Sequence, residues 1–129
     1  MAERVFSTTV DAKWSFARRT ESLAAQRKAA KTDYSDIYLT VLQITLDYFC
    51  NHDSPSVQNT VYRTGQRVLA EIPAIQSVTF SLPNIHYFMY DLQRFGVPNR
   101  IGDGSAILYP VADPAGLITA TMTRIDAKL

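Results

Sequence analysis

Two apolar repeats of helical period stand almost back to back, and they restrict what the rest of the chain can become. In the first, Asp33 to Asn51, the residues Ile37, Val41, Ile44 and Tyr48 recur on one face, and Leu42, Leu46 and Phe49 widen it. Asp33 is placed to cap its start. The second follows directly after His52 and Asp53. Ser54 is its expected cap, Pro55 suits the first helical position, where a missing N–H costs nothing, and Pro73 stops the segment. Val57, Val61, Gly65, Val68 and Ile72 form its apolar stripe. Two neighbouring helices with one apolar face each need a further layer to bury those faces.

The flanking segments supply that layer. Arg4 to Phe16 alternates, with Phe6, Thr8, Val10, Ala12, Trp14 and Phe16 on one face, the period of a strand. Residues 17–32 are basic and Ala-rich without a clear apolar face, and read as a loop with partial helix. After Pro73 two strands are expected, Gln76–Leu82 and Ile85–Arg94, hinged at Pro83-Asn84 because proline cannot donate to a sheet ladder. Gly96 to Ser105 reads as a loop, Ala106–Pro110 as a short strand, Asp113-Pro114-Ala115-Gly116 as a turn, and Leu117–Arg124 as a last strand. The expected fold is α+β: an antiparallel sheet with two helices packed on one face. A lone strand ahead of the helices is unusual for such a sheet, which leads us to expect a further strand upstream of Met1.

The bulk properties narrow the function. At 129 residues the chain has the size of a single domain, 1–129, with one core. A formal charge of +1 provides no field to steer nucleic acid or an anionic membrane, so neither is an expected partner. No apolar run approaches the length of a bilayer span. The single cysteine, Cys50, has no partner for an internal disulfide. The last three residues, Ala127-Lys128-Leu129, resemble the small-basic-Leu tripeptide read by the peroxisomal import receptor; a polar tail is the plainer reading of three letters alone.

Few residues stand out for chemistry. There is no GxGxxG, P-loop or HExxH, and no serine in a nucleophile turn. Cys50, His52 and Asp53 have metal-binding side chains but straddle a helix end, where Asp53 and Ser54 are better explained as caps. Gln58 lies in the first turn of the second helix, among backbone N–H groups that carry partial positive charge. Its carboxamide presents a donor and an acceptor side by side; the alternative is a solvated glutamine. Asn84 and His86 stand two residues apart where the two strand-like runs meet, and neither packs well in a core.

Taken together, the segments "ERVFSTTVDAKW", "SVQNTVYRTGQRVLAEIPAIQSVTFSLPNIHYF" and "ILYPVADPAGLITATMTR" resemble the C-terminal half of the urate oxidase (uricase) family, from about Glu3 to Arg124. The likeness includes the Ser-Val-Gln triplet, the Leu-Pro-Asn-x-His-Tyr-Phe segment and the Asp-Pro-x-Gly-Leu-Ile turn. It implies a tunnelling-fold (T-fold) domain, homotetramers with active sites at subunit interfaces, and oxidation of urate by O2 and water to 5-hydroxyisourate and H2O2 without metal or organic cofactor. It also implies roles for five positions. Arg4 would pair with urate, Gln58 would grip the opposite polar edge, and Val57 would contact the ligand through its N–H. Asn84 would stand beside O2 or water above the ring, and His86 would belong to the proton relay. A peroxisomal location and its import receptor fit the terminal Ala127-Lys128-Leu129.

Family members also use an N-terminal T-fold domain, a lysine–threonine pair from a neighbouring subunit and a stacking phenylalanine, none of which this sequence contains. Activity is therefore expected to need an N-terminal uricase half. Two other readings stay open: a non-catalytic urate- or purine-binding module, and a structural T-fold oligomerisation module.

Overall fold

The computed structural model describes residues 7–16, 33–101 and 106–125. In chain order these form β1 (Ser7–Thr8), β2 (Asp11–Phe16), α1 (Tyr34–Cys50), α2 (Val57–Glu71), β3 (Ile75–Met89), a 3-10 turn (Gln93–Phe95) and β4 (Leu108–Thr123). One four-stranded sheet results, in which β1, β2 and β4 all pair with β3. Where β1 meets β3 the pairing is antiparallel, with Ser7 opposite Ile85 and Thr8 opposite Asn84. Sheet and helices make the expected α+β architecture. The basic stretch 17–32, Arg4 and the terminal Ala127-Lys128-Leu129 lie outside the described residues. No described helix is long and apolar enough to cross a membrane.

The chain divides into two compact units: the described residues within Met1–Asp11 and Ser81–Ile118, and those within Ala12–Phe80 and Thr119–Leu129. The second unit contains both helices. The Asp33 carboxylate accepts the N–H groups of Ser35 (2.9 Å) and Asp36 (3.4 Å) and so starts α1 as its sequence position requires. Ile37, Val41 and Ile44 are buried one turn apart. Leu42 and Leu46, expected to widen that face, are exposed (40% and 53%), so the buried stripe of α1 is narrower than its apolar composition suggests.

The start of α2 differs from expectation. Its cap is Ser56, not Ser54: the Ser56 hydroxyl accepts the Asn59 N–H at 3.2 Å, and the Ser54 hydroxyl donates to the Ser56 carbonyl at 2.9 Å. Pro55 therefore precedes the helix instead of opening it. The two serines offer the same kind of cap, and the structure uses the second, whose backbone is extended. At the far end Ile72, next to Pro73, is non-helical (φ −119°, ψ 86°), as a residue before proline should be.

Val61, Gly65 and Val68 bury one face of α2, and Ile75, Val78 and Phe80 are fully buried in the same unit. The buried hydroxyls of Thr45, Thr60 and Thr64 each donate to the carbonyl four residues back, so they enter the core satisfied. Gly65 packs against Met122 of β4; a Cβ on Gly65 would stand 3.0 Å from the Met122 sulfur and 3.2 Å from its Cγ, closer than van der Waals contact allows. Arg124, just past β4, donates its guanidinium to the carbonyls of Leu69, Ile72 and Ile75 and its backbone N–H to Gln76. A cation at the C-terminal end of α2 answers both its unpaired carbonyls and its dipole.

The first unit corrects three strand expectations. Pro83 and Asn84 form no hinge: β3 runs unbroken through them from Ile75 to Met89. The break falls on the partner instead, at Thr9 and Val10 between β1 and β2, and the register that sets Thr8 opposite Asn84 brings Thr9 opposite Pro83. Proline's missing donor thus meets a gap in the neighbouring strand.

The second run ends at Met89, not Arg94. Past it the Asn99 carboxamide takes the place of a ladder rung, donating to the carbonyls of Tyr90 (2.9 Å) and Ile107 (2.8 Å) and accepting the Ile107 N–H (2.9 Å). The Asp91 carboxylate accepts the Gln93 N–H and turns the chain into the 3-10 segment, which Gly96 closes at φ 66°. Third, no turn divides Asp113-Pro114-Ala115-Gly116 from a last strand, because β4 is continuous from Leu108 to Thr123. Among the described residues β4 pairs only with β3.

The capping geometry is testable by urea unfolding. Ser56→Ala is expected to cost about 1 kcal/mol, and Ser54→Ala clearly less; equal losses would return the cap to Ser54.

Candidate active site

Alternation along β3 sends Asn84, His86 and Phe88 to one side of the strand, and Tyr90 follows just past its end. The Asn84 Nδ2 and His86 Nε2 atoms lie 3.4 Å apart. With the amide nitrogen as donor, Nε2 must be the bare nitrogen of a neutral imidazole, and the ring proton then sits on Nδ1. If His86 takes up a second proton, Nε2 becomes a donor and Asn84 can meet it only through its oxygen. The pair is thus sensitive to proton transfer. Both residues are half-buried.

Aromatic rings extend this face. The His86 ring lies nearly parallel to Phe88 at 6.4 Å, and Tyr109 of β4 stands 6.3 Å from Phe88 and 6.1 Å from Tyr90. On β4, Gly116 lies beside Asn84: a Cβ there would come within 3.8 Å of the Asn84 Cβ, an ordinary contact. A hollow of about 510 Å3 in the same unit is lined by Met89, Tyr90, Asp91, Gln93, Val97 and Arg100 among others, and includes neither Asn84 nor His86.

Val57 and Gln58 occupy the other unit. With Ser56 as cap they are the first two residues of α2, where an N–H has no acceptor within the helix and the dipole favours negative charge. Gln58 is exposed and Val57 half-buried. Sequence reasoning put both in the first turn and needs only a shift of cap. Asn84 with His86, and Val57 with Gln58, are therefore each assembled within their own unit. Arg4 lies outside the described residues.

His52 takes up the role of a helix-end residue. Its Nδ1 is 3.2 Å from the Asp47 carbonyl, and its ring stacks on Tyr48 at 4.3 Å. The Asp47 carboxylate is held below its usual value chiefly by a hydrogen bond from Asn51; burial opposes this, and the charges of His52 and Arg67 add to the lowering. Among the described residues no three His, Cys, Asp or Glu side chains are grouped to hold a metal ion.

Sequence reasoning missed Thr8 and Gly116, which flank Asn84 on the adjacent strands. Their signal was the proline itself, since a strand that keeps Pro83 needs help from its neighbours.

A family profile described as Uricase matches residues 1–119, which include the Ser-Val-Gln, Leu-Pro-Asn-x-His-Tyr-Phe and Asp-Pro-x-Gly-Leu-Ile segments. This chain belongs to the uricase family. It is 36% identical to the uricase of Schizosaccharomyces pombe over 124 residues and 33% identical to that of Aspergillus flavus over 126 residues. These alignments take in 96% and 98% of this chain, but only 40% and 41% of the relatives. The crystal structure of uricase from Arthrobacter globiformis superposes with a TM-score of 0.74 at 29% identity, covering 96% of this chain and 38% of that one. The chain thus spans about two-fifths of the length of the uricases it matches, and its sheet and two helices have their counterpart in that fold.

Proposed function

We propose that this chain is the part of a urate oxidase that grips the purine and holds the oxygen-side polar pair. The observation that carries the proposal is the 3.4 Å Asn84–His86 pair on one side of β3, within the Leu-Pro-Asn-x-His-Tyr-Phe segment of a uricase-family chain. Urate is a flat anion at neutral pH, with N–H and C=O groups around its rim. The guanidinium of Arg4 would meet a carbonyl and a ring nitrogen as a two-pronged donor. Gln58 would meet an N–H and C=O pair on the opposite edge, and the Val57 N–H would add a contact at the positive end of α2.

Held in plane, the ring keeps one face open to dioxygen. Removal of a proton enriches the ring in electrons, and two electrons then pass to O2. Water adds its oxygen to the oxidised ring, so that urate, O2 and water become 5-hydroxyisourate and H2O2. Asn84 would donate to the peroxide or water oxygen above the ring. His86 would pass the proton, since its imidazole offers one nitrogen as donor and the other as acceptor. The reading calls on no metal or organic cofactor. The remaining three-fifths of the relatives' length is where the base and the stacking ring would come from, in a homotetramer acting in purine breakdown.

The direct test mixes the purified chain with the part of a uricase that it does not span and follows loss of urate absorbance. Turnover in the mixture alone supports the proposal. Urate binding by the chain without turnover in either sample supports a binding module. No response to urate in any sample leaves a structural T-fold module. In the active mixture, Gln58→Leu is expected to weaken urate binding about 100-fold or more without loss of folding, because the substrate's buried polar edge loses its partners. His86→Ala is expected to lower kcat about 100-fold with KM little changed; equal effects on both would make it a structural histidine. We also propose a peroxisomal location through Ala127-Lys128-Leu129. A fluorescent fusion ending in these residues should collect in peroxisomes and lose that pattern when Leu129 is deleted; an unaltered pattern would refute the signal.

A further inference from the structure

We infer that Thr8 is a positioning residue for the Asn84–His86 pair, acting through the carbonyl of Pro83. The inference rests on the reading of that pair as the one that faces oxygen. Three observations on adjoining strands converge. Pro83 immediately precedes Asn84 in β3 and has no N–H, so the backbone loses one of its two handles on the partner strand just before the functional side chain. β1 stops at Thr8, the residue opposite Asn84, and the next two residues are not paired as a strand. Into this gap the Thr8 hydroxyl donates a hydrogen bond to the Pro83 carbonyl at 2.7 Å, with the Thr9 carbonyl a weaker acceptor at 3.1 Å.

The bond has a definite mechanical effect. The Pro83 carbonyl belongs to the same peptide plane as the Asn84 N–H, so holding that oxygen fixes the rotation of the plane about the chain and with it the direction of the Asn84 Cα–Cβ bond. A side chain that must meet Nε2 of His86 at 3.4 Å and a ligand oxygen in turn has little tolerance for rotation of its base. From β4, Gly116 presents no side chain to Asn84. Thr8 touches no reacting atom in this scheme; it holds the strand that does.

The test compares Thr8→Val, which keeps shape and strand preference but lacks the donor, with Thr8→Ser, which restores the hydroxyl. Two readouts are taken. In the chain itself, NMR follows the Asn84 side-chain amide and the His86 ring. Thr8→Val is expected to shift or broaden both while signals of Val68 and Phe80 stay in place, and Thr8→Ser to return them towards their original positions. In the urate-oxidising mixture, Thr8→Val is expected to lower kcat about tenfold or more with KM changed less than about twofold, and Thr8→Ser to recover most of the rate. Thr8→Ala serves as a second hydroxyl-less variant should Thr8→Val not fold. Unmoved Asn84 and His86 signals in a folded variant without the hydroxyl overturn the inference, whatever the rate. A mixture that never oxidises urate, with signals that respond as described, leaves Thr8 as the positioning residue and removes the functional reading instead.

Discussion

Every strand of the sheet depends on the hydrogen-bonding capacity of β3. β1, β2 and β4 each find their pairing on it, so any defect in its backbone is felt by its neighbours. Pro83 is such a defect, and the molecule accommodates it without bending the strand. The partner strand breaks opposite it, and a threonine hydroxyl donates to the proline carbonyl. The side chains that follow, Asn84 and His86, inherit their direction from this arrangement. A polar pair on an exposed strand end would be loose; one anchored on the strand that organises the sheet is not.

Much of the helical layer was legible because its signals are local. Asp33 before an apolar repeat, Pro73 after one, and the Val61–Gly65–Val68 spacing each depend on a few neighbouring residues, and the structure uses them as read. The strands were harder for a physical reason. Pro83 and Pro114 read locally as breakers, yet a proline breaks a strand only where its missing N–H faces a partner that needs it. That depends on pairing, which no local pattern contains. The same limit applies to Asn99, whose side chain stands in for backbone eight residues away. Ser54 against Ser56 is a choice between two equivalent caps that no local signal decides.

The site was legible in a different sense. Spacing of two on a strand is enough to bring Asn84 and His86 to one side, and position in a first turn is enough to give Gln58 and Val57 a positive backdrop. What a residue does with a ligand was carried by family likeness, not by spacing. Thr8 illustrates the remainder: as a strand residue it looked like any other until the proline across from it gave its hydroxyl a task.

The contact between Gly65 and Met122 has an implication for how such a chain can change over time. The helix and the strand approach so closely that the hydrogen of a glycine is all that separates the α2 backbone from a thioether. A larger residue on the helix obliges the Met122 side chain to swing aside or shorten, whereas a shorter residue on the strand meets no such conflict. A gain of size at position 65 is therefore tied to what position 122 can yield, while the reverse change is free.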